Sequence, residues 1–318
     1  MSTQVSNLTI LVPCFNEEQN IRAVYVRTKA AVSEISDSDC KILFIDNAST
    51  DGTQLELRKL AEEDPSVIVI LNQRNFGHVR SPFHGLLCAP GDAVVVIAAD
   101  LQDPPELIPD FVRLWRTGFG VVLGQKRNSE ESPLVFAIRR FYYRMVRTLA
   151  DVDLLENVTG FGLYSRKVIE DFRALEDPYP YVRGLVSELG YDVARVQYDQ
   201  PLRQRGITKN NFYTLYDVAL LGITSHSKVP LRLATMFGFI ASVLSFIVGI
   251  VYLGYKLVFW DRFALGVAPV IIGLFFGASV QLFFIGIIGE YIGAIHTRVS
   301  KRPLVIERER INFSTKTY

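Results

Sequence analysis

Short apolar runs alternate with polar segments of helical length along the first 125 residues. The apolar runs are typical of buried strands and cover residues 8–12, 41–46, 67–72, 93–98 and 121–124. The polar segments from 17 to about 33 and at 54–62 have the amphipathic character of helices. Buried strands that alternate with helices predict a parallel α/β sheet with right-handed crossovers.

The C-terminal third contains two long uncharged stretches, 23 residues at 233–255 and 27 residues at 263–289. A helix of about 20 apolar residues spans the hydrocarbon core of a bilayer, so each stretch predicts a transmembrane helix, at 232–257 and 264–290. The flanking basic residues lie outside this hairpin, at Lys228, Arg232, Arg298, Lys301, Arg302, Arg308 and Arg310. By the positive-inside rule, we predict a multi-pass protein of the cell (inner) membrane whose large domain and both termini are cytoplasmic.

This pattern divides the chain into an α/β domain at 1–210, an interfacial amphipathic segment at 211–231, the two membrane helices and a cytoplasmic tail at 291–318. Residues 133–149 also place apolar side chains at helical spacing, with arginines off that face. We interpret 133–149 as a helix on the membrane surface. Packing against the domain or another subunit explains the pattern nearly as well.

The composition excludes several classes of protein. With 49% hydrophobic and 21% charged residues the chain is not disordered, and its mean hydropathy of +0.21 is high for a soluble enzyme. The net charge of +1 gives no reason to expect a nucleic-acid partner. The three cysteines, Cys14, Cys40 and Cys88, are odd in number and lack metal-ligand spacing, so neither a disulfide framework nor a zinc site is predicted.

Polar residues follow the first four strands, where an open α/β sheet binds its ligands. Asp46 ends the second strand beside Asn47, Ser49 and Asp51, which are candidate contacts for a ribose or a base. Helix capping is the alternative for Ser49 and Asp51. The first strand is not followed by Gly-x-Gly-x-x-Gly, residues 160–162 do not supply such a turn, and no Walker lysine is present. These absences argue against a nicotinamide dehydrogenase.

Four motifs occur in order at these strand ends. They are Val12-Pro-Cys-Phe-Asn-Glu-Glu-Gln-Asn-Ile21, Ile45-Asp-Asn-Ala-Ser-Thr-Asp-Gly-Thr53, Asn75-Phe-Gly-His78 and Asp100-Leu-Gln-Asp-Pro-Pro-Glu106. The ordered set, followed by a membrane hairpin, resembles the GT-A glycosyltransferases of family 2. Within that family it most resembles the GtrB-like polyisoprenyl-phosphate glycosyltransferases and, more distantly, dolichol-phosphate mannose synthases. The resemblance covers essentially the whole chain and implies a Rossmann-like GT-A catalytic domain followed by a two-helix transmembrane hairpin.

The resemblance implies inverting transfer of a hexose, foremost glucose from UDP-glucose, to polyprenyl (undecaprenyl) phosphate on the cytoplasmic leaflet. It places Pro13, Glu17, Asp46 and Asn75 in the nucleotide-sugar pocket. A divalent cation, Mg²⁺ or Mn²⁺, neutralises a leaving diphosphate and prefers oxygen ligands. The strand period puts Asp100 and Gln102 on one side of the fourth strand, so we predict them as metal ligands. Asp100 and Asp103 are the predicted catalytic residues, with Asp103 supporting the metal site or capping the next turn.

The chain departs from the family pattern at two places. Ala98 stands where relatives usually carry the first aspartate of Asp-x-Asp-x-Gln, and Asn157 and Gly160 stand where acids are common. Glu156 and Glu188 are nearby acids, but neither is assigned as a general base.

A lipid monophosphate acceptor requires cationic side chains. We predict acceptor-phosphate contacts from Arg203, Arg205, Thr208 and Lys209, with Lys126 and Arg127 as further candidates. Anchoring of residues 203–209 to acidic lipids is the alternative. Small residues on the second span permit close helix packing, and a homo-oligomer is expected.

Two other functions share the front half of this sequence. A processive polysaccharide synthase carries Gln-x-x-Arg-Trp and more spans, and neither Trp115 nor Trp260 is so placed. A catalytically inactive membrane scaffold would explain Ala98, but Asp100 and Gln102 are retained.

Overall fold

The computed structural model describes residues 6–127, 158–177, 180, 182–199, 229–259, 267–299 and 303–313. The described chain begins with β1 (Ser6–Cys14), α1 (Glu18–Ser33), β2 (Ser38–Asp46), α2 (Thr53–Glu63), β3 (Val67–Asn72), α3 (Gly77–Cys88) and β4 (Ala93–Val96). It continues with a short 3-10 helix (Pro105–Leu107), α4 (Ile108–Arg116), β5 (Val121–Lys126), β6 (Val158–Ser165), α5 (Arg166–Ala174), α6 (Val182–Glu188) and β7 (Val193–Tyr198). Two long helices, α7 (Val229–Val258) and α8 (Val267–Val299), and strand β8 (Glu307–Ile311) follow.

The described strands form one sheet in the order β7-β5-β6-β4-β1-β2-β3-β8. β4, β1, β2 and β3 are parallel neighbours, as the sequence predicts. The expectation of a fully parallel sheet is wrong at β6 and β8, because β6 pairs antiparallel with β4 and β5, and β8 pairs antiparallel with β3, whereas β5 and β7 are again parallel. β8 reads Glu-Arg-Glu-Arg-Ile and carries no apolar run, since an edge strand needs little burial.

Alternate residues of the central strands pack on opposite faces of the sheet. Ile10 and Val12 of β1 belong to a buried cluster with α1, α2 and α4, whereas Leu11 belongs to a second cluster with α3, α5 and α6. Burial on both faces explains why these strands read as continuous apolar runs. The carboxyl ends of β1, β2, β3 and β4 therefore meet at one edge, where the polar motifs of the sequence come together.

Gly162 lies inside β6, where a side chain would collide with β5. A Cβ atom at Gly162 would lie 2.5 Å from the backbone oxygen of Val122 and 2.6 Å from Leu123 Cδ2. Because the paired strands cannot separate without breaking the ladder, we expect Gly162→Ala to lower the free energy of unfolding by about 2–3 kcal/mol. Gly160→Ala is the matched control, since no described atom lies within 4 Å of a Cβ at Gly160. Denaturant unfolding in detergent measures both, and equal stabilities would contradict this packing.

The chain after residue 228 forms α7 and α8, which contact each other. Considering only side chains that the structure describes, no helix offers an apolar stretch sufficient to cross a membrane. α8 extends past residue 290 to Val299, and the segment expected as a tail includes β8. Residues 133–149 and 211–228, where amphipathic segments are predicted, lie outside the described residues.

Candidate functional site

Asp46 ends β2 at the edge of the sheet where the carboxyl ends of β1, β2, β3 and β4 meet. None of its surface is exposed (0%). Its carboxylate accepts hydrogen bonds from the Ser49 backbone N–H at 3.1 Å, from the Ser49 hydroxyl, and from Gln54 Nε2 at 2.7 Å. These donors hold the carboxylate in one orientation where the predicted nucleotide pocket begins.

A residue near the C-terminus reaches Asp46 through Gln54. Arg308 of β8 donates from Nη2 to Gln54 Oε1 at 2.6 Å, while Gln54 donates to Asp46. In the sequence, Arg308 stands out only as a charge that flanks the second predicted span. The contact joins residues 254 positions apart, so no local pattern reveals it.

The turn after β1 is tied to the turn after β2. Asn16 has a φ of 56°, and its backbone N–H donates to Ser49 Oγ at 2.8 Å. The Glu17 backbone N–H donates to Thr53 Oγ1 at 2.9 Å. Pro13 pairs with Ile45 in the register of β1 and β2, and Glu17 follows β1, so both half-buried residues lie at the same edge as Asp46.

Asp51 binds the backbone at the start of α2. Its carboxylate accepts from the Thr53 backbone N–H at 3.0 Å, and α2 starts at Thr53. Burial raises the pKa of Asp51, but hydrogen bonds from Thr53 and Glu18 outweigh it and the pKa is lowered. Asp51 was predicted either to contact a ribose or base or to cap a helix, and these bonds fit capping. Ser49, with the same two predicted roles, donates its hydroxyl to Asp46.

Asn47 organises the turn after β3. It is 7% exposed, accepts from the Phe76 backbone N–H at 2.9 Å and donates to Asn75 Oδ1 at 2.9 Å. Asn75 Oδ1 also accepts from the Gly77 backbone N–H at 2.8 Å. The side chain of Asn47 is thus used inside the protein, while Asn75 stays exposed at the edge.

Asp100 and Gln102 lie in a turn and not on a strand. β4 ends at Val96, and Leu101 between them has a φ of 61°. The prediction that strand periodicity aligns their side chains is wrong, because strand geometry stops before Asp100. The two residues are nevertheless joined, since the Gln102 backbone N–H donates to Asp100 Oδ1 at 3.2 Å.

The side chains of Asp100 and Gln102 offer oxygen atoms that suit a divalent cation. Both residues are half-buried, and among the described residues no hydrogen bond engages Asp100 Oδ2 or the Gln102 amide. Carboxylate and amide oxygens are ligands that Mg²⁺ and Mn²⁺ prefer, so this pair fits a hard cation. Ala98 supplies no side-chain ligand.

Asp103 braces the 98–103 turn from inside. It is 7% exposed, and its oxygens accept from the Ala98 backbone N–H at 3.1 Å and from the Tyr198 hydroxyl at 3.0 Å. Burial raises the pKa of Asp103 despite these two bonds, and the neighbouring Asp100 carboxylate raises it further. Helix capping by Asp103, one of its two predicted roles, is therefore wrong because its carboxylate is committed to these partners.

Tyr198 is a further site residue that no sequence motif indicates. It ends β7, is 5% exposed, and packs edge-on against Phe161 with ring centroids 5.5 Å apart. Lys126 of β5 pairs with Tyr198 in the strand register. Its charge lies close enough to Asp103 to oppose part of the rise in the pKa of that carboxyl. Arg127 is exposed, and its backbone N–H donates to the backbone carbonyl oxygen of Tyr198 at 3.0 Å. The fold thus brings Lys126 to the 98–103 turn.

The predicted acceptor segment lies outside the described residues, with Arg203, Arg205, Thr208 and Lys209. Glu156 and Asn157 lie outside them as well. Gly160 is inside β6, so residues 160–162 form no nucleotide-binding turn, as predicted.

A family model described as "Glycosyl transferase family 2" matches residues 9–173. The chain belongs to this family. A second model, described as "GtrB C-terminal hairpin", matches residues 229–295. The predicted membership of family 2 and the resemblance to its GtrB-like branch are confirmed.

Two relatives of this family 2 glycosyltransferase match it over nearly their full lengths. The SfII prophage-derived bactoprenol glucosyl transferase of Shigella flexneri is 35% identical over 94% of this chain and 96% of its own. The bactoprenol glucosyl transferase of Shigella phage SfV is 34% identical over 95% of this chain and 99% of its own.

A solved structure is a more distant match. Glucosyl-3-phosphoglycerate synthase from Mycobacterium tuberculosis, in complex with Mn²⁺, UDP and phosphoglyceric acid, covers 69% of this chain and 76% of its own at 20% identity, with a TM-score of 0.47. At that TM-score, the likeness says nothing about the ligands of this family 2 glycosyltransferase.

Proposed function

We propose that this family 2 glycosyltransferase transfers a glucosyl residue from UDP-glucose to polyprenyl phosphate. The observation that carries the proposal is the 34–35% identity to two bactoprenol glucosyl transferases over at least 94% of the chain. An acceptor phosphate oxygen attacks the anomeric carbon, the bond from that carbon to the UDP oxygen breaks, and UDP leaves. Direct attack opposite the leaving group inverts the anomeric configuration.

The donor pocket is assigned to the edge formed by the β1, β2 and β3 turns. Asp46 is fully buried and held by Ser49 and Gln54, so we assign it to the pocket as the carboxylate that fixes the β2 turn. Pro13, Glu17 and Asn75 lie on the same edge and complete our assignment. Fixed acceptors lower the entropy lost when a sugar nucleotide binds.

Asp100 and Gln102 are assigned as the ligands of Mg²⁺ or Mn²⁺. When bound, the cation neutralises charge on the departing diphosphate. Asp103 and Tyr198 position the 98–103 turn, so Asp100 meets the diphosphate with little reorganisation.

The acceptor phosphate needs guidance more than a general base, because a phosphate monoester with a second pKa of about 6 is mostly deprotonated at neutral pH. Lys126 lies at the 98–103 turn and is one candidate contact. The segment with Arg203, Arg205, Thr208 and Lys209 supplies the main predicted contacts.

The double variant Arg205→Ala/Lys209→Ala should raise the acceptor KM or lower kcat at least tenfold. Each charge-assisted hydrogen bond to the phosphate contributes roughly 1.5–3 kcal/mol. The donor KM should stay unchanged. Because lipid anchoring has no role in detergent with a short-chain prenyl phosphate, kinetics under those conditions separate the two roles. Wild-type acceptor kinetics there would move the acceptor site to Lys126 and Arg127.

We assign α7 and α8 to a hairpin that crosses the inner membrane, with the catalytic domain in the cytoplasm. Support comes from the uncharged stretches, the hairpin family match at 229–295, and exposed apolar side chains such as Phe239, Val248 and Phe283, at 70%, 65% and 67%. Small residues on α8 support a homo-oligomer. Protease added outside spheroplasts should leave the N-terminal domain intact.

The direct test of function is transfer by the purified full-length protein. Labelled UDP-glucose, UDP-galactose and GDP-mannose are each incubated with undecaprenyl phosphate in detergent, and lipids are extracted. Label should enter the lipid from UDP-glucose, stop with a chelator and return with Mn²⁺ or Mg²⁺. Absence of lipid label from UDP-glucose would refute the assignment, and full turnover in excess chelator would remove the metal.

Arg308→Ala should raise the KM for UDP-glucose three- to tenfold with little change in kcat. Arg308 fixes Gln54, which fixes Asp46, so its loss loosens the donor pocket without touching the 98–103 turn. Arg308→Lys should restore part of the affinity. Arg113→Ala, which removes an exposed arginine paired with Asp110 on α4, is the control. An unchanged donor KM in Arg308→Ala would show that the contact does not serve binding.

A further inference from the structure

A second group of metal-ligating side chains lies where α3 meets β8. His84 and Cys88 are one helical turn apart on α3, and Glu307 begins β8. His84 Nε2 lies 2.5 Å from Glu307 Oε1 and 3.5 Å from Cys88 Sγ, and Cys88 Sγ lies 3.9 Å from Glu307 Oε1. One nitrogen, one sulfur and one oxygen ligand atom therefore converge within 4.8 Å of one another.

These separations are close to those of a tetrahedral zinc site. Zinc bond lengths of about 2.0–2.3 Å place ligand atoms roughly 3.4–3.6 Å apart at tetrahedral angles. The sulfur to nitrogen and sulfur to oxygen distances, 3.5 and 3.9 Å, already approach this value. Among the three pairs of ligand atoms, only the separation of His84 Nε2 from Glu307 Oε1 has to widen, by a rotation of the carboxylate.

The packing of both elements holds the three ligands in place. α3 is fixed against the sheet by buried Phe83 and Leu86, and β8 is fixed by its ladder with β3. The side chains of His84 and Glu307 are 18% and 19% exposed, which leaves a path for an ion from solvent. The site is thus preorganised and accessible.

Arg310 is the neighbouring charge that an incoming cation meets. Its Nε donates to Glu307 Oε2 at 2.5 Å, and its Nη2 lies 2.8 Å from Glu307 Oε1 and 3.5 Å from Cys88 Sγ. The bond to Oε2 orients the carboxylate, as outer partners of metal ligands commonly do, and Oε1 faces an ion once Nη2 has moved away from it. The Nη2 contacts have to give way when an ion binds. An imidazole nitrogen and a thiolate among the ligands favour Zn²⁺ over Mg²⁺ or Ca²⁺.

We propose that His84, Cys88 and Glu307 bind one zinc ion that joins β8 to α3. The ion would bind apart from the catalytic assignment, because β8 and β4 are separated in the sheet by β1, β2 and β3. It also fixes the strand that carries Arg308, so zinc holds the C-terminal contact with Gln54 in place.

Cobalt binding by the full-length protein in detergent tests the site. A Co²⁺–thiolate bond gives a near-ultraviolet charge-transfer band, which oxygen ligands such as Asp100 and Gln102 cannot give. The protein is treated with a chelator, kept reduced with a phosphine, and titrated with Co²⁺ and then Zn²⁺. We expect one equivalent of Co²⁺ with this band, displaced by Zn²⁺.

Variants locate the ligands. Cys88→Ser should remove the band, and Glu307→Gln should weaken Co²⁺ binding at least tenfold. Cys40→Ser, a change at the half-buried cysteine of β2, and Asp100→Asn are controls that should keep it. Zn²⁺ should raise the unfolding temperature of the wild-type protein and of Cys40→Ser but not of Cys88→Ser. Absence of the band from folded wild-type protein, or its survival in Cys88→Ser, would overturn the proposal whatever the outcome of the transfer assay.

Discussion

Asp100→Ala should reduce kcat for glucosyl transfer by at least a thousandfold while leaving the protein folded. Asp100 is half-buried, and its Oδ2 makes no hydrogen bond among the described residues. Removal of its carboxylate should therefore change the free energy of unfolding little. Its charge faces the position that we assign to the diphosphate. A loss of this size corresponds to about 4 kcal/mol of transition-state stabilisation, which is reasonable for a charged group acting on the leaving phosphate.

The measurement is steady-state transfer from labelled UDP-glucose, with thermal unfolding as the check on folding. Asp110→Ala removes another partly exposed carboxylate, one that pairs with Arg113 on α4, and should retain wild-type kinetics. Activity of Asp100→Ala within threefold of the wild type would defeat both the catalytic and the metal assignment of this residue.

Asp46→Asn should raise the KM for UDP-glucose by tenfold to a hundredfold. Asp46 is fully buried and accepts from Gln54 Nε2 and from the Ser49 backbone and hydroxyl. An amide has one acceptor oxygen in place of two, so its NH₂ group would face one of these donors and the turn would shift. The expected change in donor binding is about 1.4–2.8 kcal/mol.

Asp51→Asn is the matched control for Asp46→Asn. Asp51 caps α2 through the Thr53 backbone N–H, and asparagine caps helices about as well as aspartate. Its donor KM should therefore equal that of the wild type. UDP binding by calorimetry checks that the effect at Asp46 lies in donor binding. A tenfold KM effect shared by both variants would show general disturbance of the β2 turn instead of a role of Asp46 in the pocket.

The sequence by itself determined the central layer of the fold. β3 was predicted at residues 67–72, which are its observed bounds, and β1, β2 and β4 were each located to within a few residues. Strands buried on both faces must be apolar throughout, so they can be recognised from the local sequence without knowledge of which strands pair with them. The position of the polar motifs at one edge of the sheet could also be predicted, because parallel strands bring their carboxyl ends to the same edge.

The contacts that the side chains of these motifs make could be seen only in the folded chain. Leu101 takes a left-handed conformation that no periodicity predicts, so Asp100 and Gln102 meet through a turn. Asp103 is braced by Tyr198, 95 residues away, and which hydroxyl reaches a buried carboxylate depends on packing around Phe161. Local sequence carries no record of such distant partners.

The C-terminal strand shows the same division most clearly. Its alternating charges were predicted to flank a membrane span, yet β8 pairs with β3 and brings Glu307 to His84, 223 residues away. The three cysteines have no ligand spacing to one another, and the proposed zinc site joins His84 and Cys88, one helical turn apart, to Glu307 on a distant edge strand that no local pattern connects to them. Pairing at an exposed sheet edge depends on backbone hydrogen bonds, which require no particular pattern of side chains. The position of β8 is therefore visible only in the folded chain.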